Sequence, residues 1–310
     1  MAFVFPGQGS QYIGMGMDFC SIYPEFKLVL ELFQKRTNID LYQIMHNGPE
    51  IMLTETKYTQ PAILAHSIFA LHTFLKKTNV QPNYVAGHSL GEFSALVANH
   101  VLDFSDALYL VHKRGEYMMQ AHDGTPFAMA AILGLESDQV INLCLEVSQH
   151  HLVVPANFND PWQTVISGTK AGVDMATEIA KARKAKRVLP LSVGGPFHSP
   201  LVQKAVNWLK NDIAKINFLP PTIPIICNVN ALSELNPEQI KENLLAQVTS
   251  PVLWVDSIRC LANEGVEVFI EFGPKRVLSG IIPKIVDQVH IFNIDKINDV
   301  DQVITQLGCL

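Results

Sequence analysis

Short runs of apolar residues alternate along this chain with longer segments in which apolar residues recur at helical spacing. The run at 3–5 is followed by Pro6 and Gly7, which break regular structure, and is predicted to be a buried strand. Residues 58–76 carry apolar side chains at 63, 68, 71 and 75, a spacing that predicts one buried face of a helix. This alternation predicts an α/β fold.

Further elements are predicted by the same patterns outside the middle of the chain. The strands are 84–86, 225–227 and 266–271, and the helices are 92–100, 105–119, one opened by Ser250 and Pro251, and one from Lys275. Ser105 is the predicted N-cap of helix 105–119, because its hydroxyl can accept a hydrogen bond from a free N–H of the first turn.

The middle of the chain has a different pattern. It predicts the strands 128–133, 152–156, 163–167 and 187–193 and the helices 137–149 and 173–185. The order β-α-β-β-α-β is that of a ferredoxin-like fold. We therefore predict a small subdomain at 125–193, inserted into a larger body formed by 1–124 and 194–310.

The composition is that of an ordinary globular protein, with 48% hydrophobic and 17% charged residues among 310. The net charge of -6 argues against general nucleic-acid binding, which requires a basic surface. The chain has no run of about 18 apolar residues and does not start with a basic region before a long apolar stretch. Neither a membrane span nor a signal peptide is therefore predicted.

The cysteines and histidines give no metal-binding pattern. The five cysteines are odd in number and widely spaced, which predicts reduced thiols in the cytoplasm and no metal site. The adjacent His150 and His151 are predicted to be surface residues and not metal ligands, because neighbouring side chains do not converge on one point.

The strongest candidate for chemistry is a Gly-x-Ser-x-Gly turn at 87–91, placed between a predicted strand and a predicted helix. Such a turn lifts the hydroxyl of Ser89 above the sheet, and the flanking glycines allow the chain to bend without a Cβ clash. The N–H groups of the following helix point toward the site, where negative charge would develop. The pattern predicts a catalytic serine, with a purely structural turn as the alternative.

A serine needs a base to become nucleophilic, and the chain has eleven histidines. His88 adjoins Ser89 but is predicted to point away from it, into packing or hydrogen bonds of the turn. His198 lies in the glycine- and proline-rich loop 194–200, a rigid mount for a side chain that reaches across a cleft. His198 is therefore the candidate base, with a solvent-facing loop histidine as the alternative.

Two further features are candidates for binding negative charge. The turn 6–10 follows a buried strand and lacks the lysine of a phosphate-binding loop, so its amides suit an oxyanion hole better than a phosphate cradle. Arg114 lies on the predicted helix 105–119 and has two interpretations, a surface ion pair or an inward guanidinium that grips a carboxylate.

Six segments of this chain together resemble the malonyl-CoA:acyl carrier protein transacylases and the acyltransferase domains of polyketide synthases. They are F-P-G-Q-G-S-Q at 5–11, T-Q-P-A at 59–62, G-H-S-L-G-E at 87–92, R-G at 114–115, G-P-F-H at 195–198 and E-F-G-P at 271–274. They span nearly the whole chain in the family's order. The resemblance implies an α/β-hydrolase-like body (1–124 and 194–310) with a ferredoxin-like subdomain at 125–193.

The resemblance also implies a role for each matching residue. The implied roles are Ser89 as nucleophile, His198 as base, the backbone N–H groups of Gln8 and Leu90 as oxyanion hole, Arg114 as ligand of the malonyl carboxylate, and the main-chain carbonyl of Gln247 as the group that orients the histidine. The ring of Phe197, next to the histidine, implies a preference for malonyl over α-methylated groups.

The implied reaction moves malonyl from malonyl-CoA to the pantetheine thiol of acyl carrier protein through a malonyl-serine ester, for fatty-acid synthesis or a polyketide pathway. No cofactor or metal is expected, and neither nucleic acid nor membrane is an expected partner. We expect a cytoplasmic monomer. A basic cluster is a candidate docking surface for the acidic carrier, or a solvated helix face: Lys181, Arg183, Lys184, Lys186 and Arg187.

Two other functions remain open at this point. A serine thioesterase or esterase uses the same turn, usually with an acidic residue between the serine and the histidine in sequence, for which Asp160 is the candidate. The second alternative is a scaffold in which the turn has no catalytic role.

Overall fold

The computed structural model describes residues 1–309 and contains two β-sheets with helices packed against them. The strands are β1 (Ala2–Phe5), β2 (Tyr84–Gly87), β3 (Phe127–Leu133), β4 (Val153–Asp160), β5 (Gln163–Thr169), β6 (Arg187–Pro190), β7 (Ile225–Ile226), β8 (Ser233–Glu234), β9 (Val268–Phe272) and β10 (His290–Ile294). The predicted α/β class is confirmed.

Helices connect these strands. In chain order they are α1 (Met17–Ile22), α2 (Pro24–Thr37), α3 (Leu41–Asn47), α4 (Glu50–Thr54), α5 (Thr56–Lys77), α6 (Gly91–Ala98), α7 (Phe104–Gln120), α8 (Ser137–Val147), α9 (Lys170–Ala182), α10 (Gln203–Ile213), α11 (Pro237–Gln247), α12 (Trp254–Asn263), α13 (Val277–Ile281) and α14 (Ile297–Leu307). None of the helices within residues 1–309 is long and apolar enough to cross a membrane.

The larger sheet has six strands in the order β10-β9-β1-β2-β7-β8, parallel except for β8. Its central strand β1 is buried along its whole length, as expected for an apolar run covered on both faces of a parallel sheet. Phe5 pairs with Gly87, so β1 and β2 end level with each other. The turns 6–10 and 87–91 therefore meet at the carboxyl edge of the sheet, where open α/β folds bind ligands.

The smaller sheet is antiparallel, in the order β4-β5-β3-β6. Its elements follow one another as β3-α8-β4-β5-α9-β6. The helices α8 and α9 cover one face and share a separate apolar cluster with it, which includes Ile132, Leu143, Val153, Ile166 and Val173. The sheet thus has its own core.

The small sheet is joined through backbone hydrogen bonds to Val252, which lies in the segment between α11 and α12. The Val252 N–H donates to the Ala156 carbonyl (2.9 Å) and the Val252 carbonyl accepts from the Phe158 N–H (3.0 Å). The helix predicted from Pro251 is therefore wrong, because this segment is extended against β4 and α12 starts only at Trp254.

A second prediction is wrong at the start of α7. Its N-cap is Asp103, whose carboxylate accepts hydrogen bonds from the N–H groups of Ser105 (2.8 Å) and Asp106 (3.3 Å). Ser105 therefore lies inside the first turn and does not cap it. An ionised carboxylate also binds the positive end of the helix dipole, which a hydroxyl cannot do.

Candidate active site

The turn at 87–91 holds Ser89 in a left-handed backbone conformation (φ +51°) between β2 and α6. A Cβ added at Gly87 would lie 1.9 Å from the Gly91 carbonyl, and one at Gly91 would lie 2.0 Å from the Phe5 oxygen. Only glycine therefore fits at either position. The tight turn therefore points the Ser89 side chain away from the sheet at its carboxyl edge.

His198 meets the serine from across the cleft. Its Nε2 lies 2.8 Å from Ser89 Oγ. Its Nδ1 lies 2.8 Å from the Gln247 carbonyl and 3.1 Å from the Ser250 carbonyl. Carbonyl oxygens only accept hydrogen bonds, so this network places the ring proton on Nδ1 and leaves the Nε2 lone pair for the serine hydroxyl.

The electrostatic environment keeps His198 neutral. Burial, with a second contribution from the positive charge of Arg114, lowers the pKa of His198 to about 3. An imidazole that stays unprotonated at neutral pH can accept a proton from Ser89. The arrangement thus has the geometry and the charge state of a serine–histidine pair.

No carboxylate among the described residues hydrogen-bonds to His198. Asp160 is buried elsewhere, where it accepts hydrogen bonds from the Trp162 N–H (2.9 Å) and from Lys284 Nζ (2.9 Å). The acid nominated for the thioesterase alternative therefore does not reach the histidine, and two main-chain carbonyls occupy the position it would need.

Arg114 is completely inside the protein, so its interpretation as a surface ion pair is wrong. Its Nη1 donates to Gln60 Oε1 (2.8 Å), and its Nη2 donates to Gln247 Oε1 (2.7 Å) and Ser89 Oγ (3.0 Å). Burial lowers the pKa of Arg114 to about 10, which still leaves it charged at neutral pH. A buried cation therefore lies beside the candidate nucleophile.

A close helix contact brings Arg114 to this position. It lies on α7 next to Gly115, and a Cβ at Gly115 would lie 2.7 Å from the Thr56 carbonyl of α5. Glycine lets α7 approach α5 closely enough for Arg114 to reach Gln60, one turn along α5 from Thr56. Thr56 also accepts a hydrogen bond from Gln8 Nε2 (3.1 Å), so α5 holds the turn 6–10 as well.

Gln8 and Leu90, whose backbone N–H groups are the predicted oxyanion hole, both line the cavity around Ser89. Within residues 1–309, neither N–H donates to another protein atom. The two turns are in direct contact, since a Cβ at Gly7 would lie 2.6 Å from the His88 carbonyl. Two free donors on rigid turns beside a serine are suited to bind an oxyanion.

His88 points away from the serine. Its Nε2 lies 2.8 Å from Asn159 Oδ1, and its ring packs edge-on against Trp254 at 5.6 Å. Burial lowers the pKa of His88, so the ring is neutral and Nε2 donates to Asn159.

The cavity around Ser89 has a volume of about 120 Å³ and lies between the two sheets. The polar groups at its floor come from the large-sheet side, and five apolar side chains form much of its wall. These are Met118, Met129, Leu191, Val193 and Phe197. The space is suited to a small acyl group next to a buried cation.

The sequence did not predict the roles of Asn228 and Glu92, whose hydrogen bonds support the turn 87–91. Asn228 Oδ1 accepts from the Ser89 N–H (2.7 Å) and its Nδ2 donates to the Gly87 carbonyl (2.7 Å). Glu92 is fully buried and accepts from Gln247 Nε2 (2.7 Å) and the Asn228 N–H (3.2 Å). The position of Glu92 directly after the turn was a usable signal, whereas the segment around Asn228 carries none.

The basic cluster lies on the outside of the smaller sheet, and all five side chains are exposed. Two of them are engaged in ion pairs, Lys181 with Glu178 (2.8 Å) and Arg183 with Glu146. His150 and His151 are exposed as predicted.

Comparisons with known proteins agree with this geometry. The family model described as "Acyl transferase domain" matches residues 2–302. The malonyl CoA-acyl carrier protein transacylase of Bacillus subtilis is 43% identical over 286 residues, covering 92% of this chain and 90% of that protein. The Escherichia coli K12 protein of the same name is 42% identical over 289 residues, covering 92% of this chain and 93% of that protein.

A solved structure with the same overall shape is the malonyl CoA-acyl carrier protein transacylase of Coxiella burnetii. It superposes with a TM-score of 0.94 at 36% identity and covers 99% of this chain and 97% of that one. A second, also at TM-score 0.94 and 36% identity, is a malonyl-transacylase in complex with a type II polyketide-synthase acyl carrier protein; the match covers 98% of this chain and 99% of that one.

Proposed function

This chain belongs to the family of acyl transferase domains, and from that premise we propose that it transfers malonyl from malonyl-CoA to the pantetheine thiol of acyl carrier protein, with Ser89 as nucleophile. It is an acyltransferase with these two partners. The observation that carries the assignment of roles is the position of Ser89 Oγ, 2.8 Å from His198 Nε2 and 3.0 Å from Arg114 Nη2.

In the first step His198 Nε2 accepts the hydroxyl proton while Ser89 Oγ attacks the thioester carbonyl carbon. The carbonyl oxygen becomes negative and binds to the N–H groups of Gln8 and Leu90. Each such donor contributes roughly 3 kcal/mol in comparable sites. The carbonyl oxygens of Gln247 and Ser250 accept the Nδ1–H and stabilise the imidazolium that forms.

In the second step the C–S bond breaks and the proton on His198 Nε2 passes to the departing CoA sulfur, which leaves a malonyl ester on Ser89. The thiol of the carrier arm then gives its proton to His198 and attacks the same carbonyl. Collapse of the second tetrahedral intermediate regenerates Ser89, with the proton returned from His198. One thioester is exchanged for another, so the overall reaction is reversible.

Arg114 binds the malonyl carboxylate in this proposal. In the free protein its guanidinium donates to the neutral oxygens of Gln60, Gln247 and Ser89. A carboxylate is a stronger acceptor than a hydroxyl, so it displaces the contact with Ser89 and leaves that oxygen to attack. A generic esterase has no use for a buried arginine at this point, which favours the transferase over a hydrolase.

Incubation with labelled malonyl-CoA, with and without carrier, tests this function. We expect a labelled ester on Ser89 that persists without carrier and passes quickly to the carrier thiol when it is added. Rapid release of free malonate in the absence of carrier would instead support the thioesterase alternative. A chain that is never labelled would support the scaffold alternative.

We also propose the finer architecture that the sequence suggests. Residues 1–124 and 194–310 form an α/β-hydrolase-like body, supported by the serine turn between a parallel strand and a helix. Residues 125–193 form a ferredoxin-like subdomain, supported by the order β3-α8-β4-β5-α9-β6 and by its separate apolar cluster. The cytoplasm is the proposed location, supported by five free cysteines, and we propose a monomer.

The proposed docking surface for the carrier is the basic cluster at 181–187. Lys184, Lys186 and Arg187 form no ion pair within the described residues, so their charges are available to an acidic partner. Arg187 opens β6, and Leu191, four residues further on, lines the cavity. A carrier bound at this surface would therefore lie along a strand that leads to Ser89.

A further inference from the structure

We propose that the side chains of Glu92 and Gln247 position Arg114 and thereby set the preference for acyl groups that carry a carboxylate. This role of Gln247 is separate from that of its main-chain carbonyl, which faces His198. Both residues act through Arg114, so they are positioning residues. The inference rests on the proposed function of Arg114 as ligand of the malonyl carboxylate.

The hydrogen bonds of the Gln247 amide fix its orientation. Its Nε2 faces three acceptors, Glu92 Oε2 (2.7 Å), the Ser89 carbonyl (2.9 Å) and Asn228 Oδ1 (3.3 Å). The opposite end must therefore be the oxygen, and Oε1 accepts from Arg114 Nη2 at 2.7 Å. The amide thus links a buried carboxylate to a buried guanidinium, with a donor toward the first and an acceptor toward the second.

This link holds the end of Arg114 nearest the nucleophile. Nη1 is fixed separately by Gln60, whereas Nη2 has only Gln247 and Ser89 Oγ as acceptors among the residues described. Without the Gln247 oxygen, Nη2 would depend on Ser89 Oγ alone, the atom that must be released for attack. The position of the cation would then vary with the state of the nucleophile.

Glu92 also brings a carboxyl group into this buried region. It is faced by Arg114 from α7 and by the Cys227 thiol after β7, with Gln247 and the Asn228 N–H as its neutral donors. Burial raises the pKa of Glu92 to about 7, opposed by these donors and by the charge of Arg114. Burial also raises the pKa of Cys227, so the thiol stays neutral.

The test compares malonyl-CoA with acetyl-CoA as donors in single-turnover acylation of Ser89. The ratio of the two values of kcat/KM cancels every effect on Ser89, His198 and the oxyanion hole that both donors share. Gln247→Met removes the amide but keeps the main-chain carbonyl, and we expect it to lower the ratio roughly tenfold or more. Glu92→Gln keeps an acceptor for Gln247 but removes the charge, so a smaller fall in the same direction is expected.

Glu271→Gln is the matched control. Glu271 is also a buried glutamate, but it accepts the N–H groups of Leu278 and Ser279 at the start of α13, away from Arg114. Its loss is expected to lower the melting temperature and leave the malonyl-to-acetyl ratio unchanged. A fall of the ratio in this control as large as in Gln247→Met would overturn the inference.

The pH dependence of the malonyl-to-acetyl ratio in the wild-type protein tests the role of Glu92 even if a variant does not fold. Protonation of Glu92 removes its charge, so the ratio should fall as the pH is lowered from 8 to 6. A wild-type ratio that favours malonyl equally at every pH between 6 and 8 would overturn this inference and leave the proposed function intact. A wild-type ratio near one would overturn the role of Arg114 itself, and this inference with it.

Discussion

The six-stranded sheet and the four-stranded sheet both contribute to the cavity around Ser89, but they contribute different kinds of groups. The large sheet and its helices provide the serine, the histidine and the buried arginine, each held by at least two hydrogen bonds. The small sheet provides Met129 and Asn157, and the chain after β6 provides Leu191 and Val193. The groups proposed for the chemical step therefore lie on the large-sheet side. The small-sheet side shapes the cavity wall and bears the exposed basic residues.

This difference predicts that variants on the two sides will change different quantities. A change near the turn 87–91 should affect the chemical step or the choice of acyl group. A change on the small sheet should affect how strongly the carrier binds and leave acylation by malonyl-CoA unaltered.

The largest effect is expected from Ser89→Ala. If Ser89 is the nucleophile, as proposed, no ester forms in this variant, and transfer should fall by roughly 10⁴-fold or more. Mass spectrometry after incubation with malonyl-CoA should detect no added malonyl group, while circular dichroism stays that of the wild type. Ser94→Ala, at another buried serine of the following helix α6, is the matched control and should remain labelled. Labelling of the Ser89→Ala chain would show that the nucleophile lies elsewhere.

The second-largest effect is expected from Arg114→Met. It removes the cation proposed to bind the malonyl carboxylate while retaining much of the side chain's volume. Loss of hydrogen bonds to a charged group predicts that kcat/KM for malonyl-CoA falls roughly 100-fold. The value for acetyl-CoA should fall much less, since acetyl has no carboxylate. Equal losses with both donors would mean that Arg114 supports the site structurally and does not select the substrate.

The large-sheet side should also lose more stability at low pH, because its helix α5 carries the buried histidine His66. Burial lowers the pKa of His66 to about 3, from an ordinary value of 6.5. Between these values the unfolded chain binds the proton and the folded chain does not, so the free energy of unfolding falls as the pH drops below 6.5. This contribution amounts to about 1.4 kcal/mol per pH unit and is absent above 6.5.

His66→Phe removes that proton-binding difference. Between pH 7.5 and 5 the variant should therefore lose about 2 kcal/mol less stability than the wild type, as measured by urea unfolding. His150→Gln, at the exposed surface of the small sheet, is the control and should follow the wild-type curve. Identical pH dependence in His66→Phe and the wild type would show that His66 binds a proton inside the folded protein.

The smallest effect is expected on the small sheet, from the double variant Lys186→Glu and Arg187→Glu. Surface charge reversal should raise KM for the carrier a few-fold, more strongly at low salt, and leave KM for malonyl-CoA unchanged. Equal changes for both substrates would contradict a docking role and weaken the division between the two sides. Reversal of Lys170 and Asp174, a surface pair on α9 without net charge, serves as the control.

The sequence predicted the parts of the site whose geometry is local. The turn 87–91 follows from its two glycines, which the close contacts with Gly91 and Phe5 explain. The rigid loop of His198 likewise follows from neighbouring glycine and proline residues. In both cases a few adjacent residues determine the backbone conformation, so a single sequence contains the information.

Predictions failed where distant segments decide the outcome. The sequence left a surface position open for Arg114 because its acceptors come from two distant helices, Gln60 of α5, which packs closely against Gly115, and Gln247 of α11. The segment at Val252 looked like a helix start, but pairing with β4 keeps it extended. Nor did the sequence reveal that Arg183 is paired with Glu146, a residue of a different helix.

The backbone pairing of Val252 has a mechanical consequence for His198. The short segment 247–252 supplies the two carbonyls that hold His198 Nδ1, and its last residue is hydrogen-bonded to β4 of the small sheet. A displacement of the small sheet would therefore pull on the same stretch of backbone that aligns the imidazole. We expect a load applied to the outer surface by a bound protein to reach His198 through the two backbone hydrogen bonds of Val252 and the six residues 247–252.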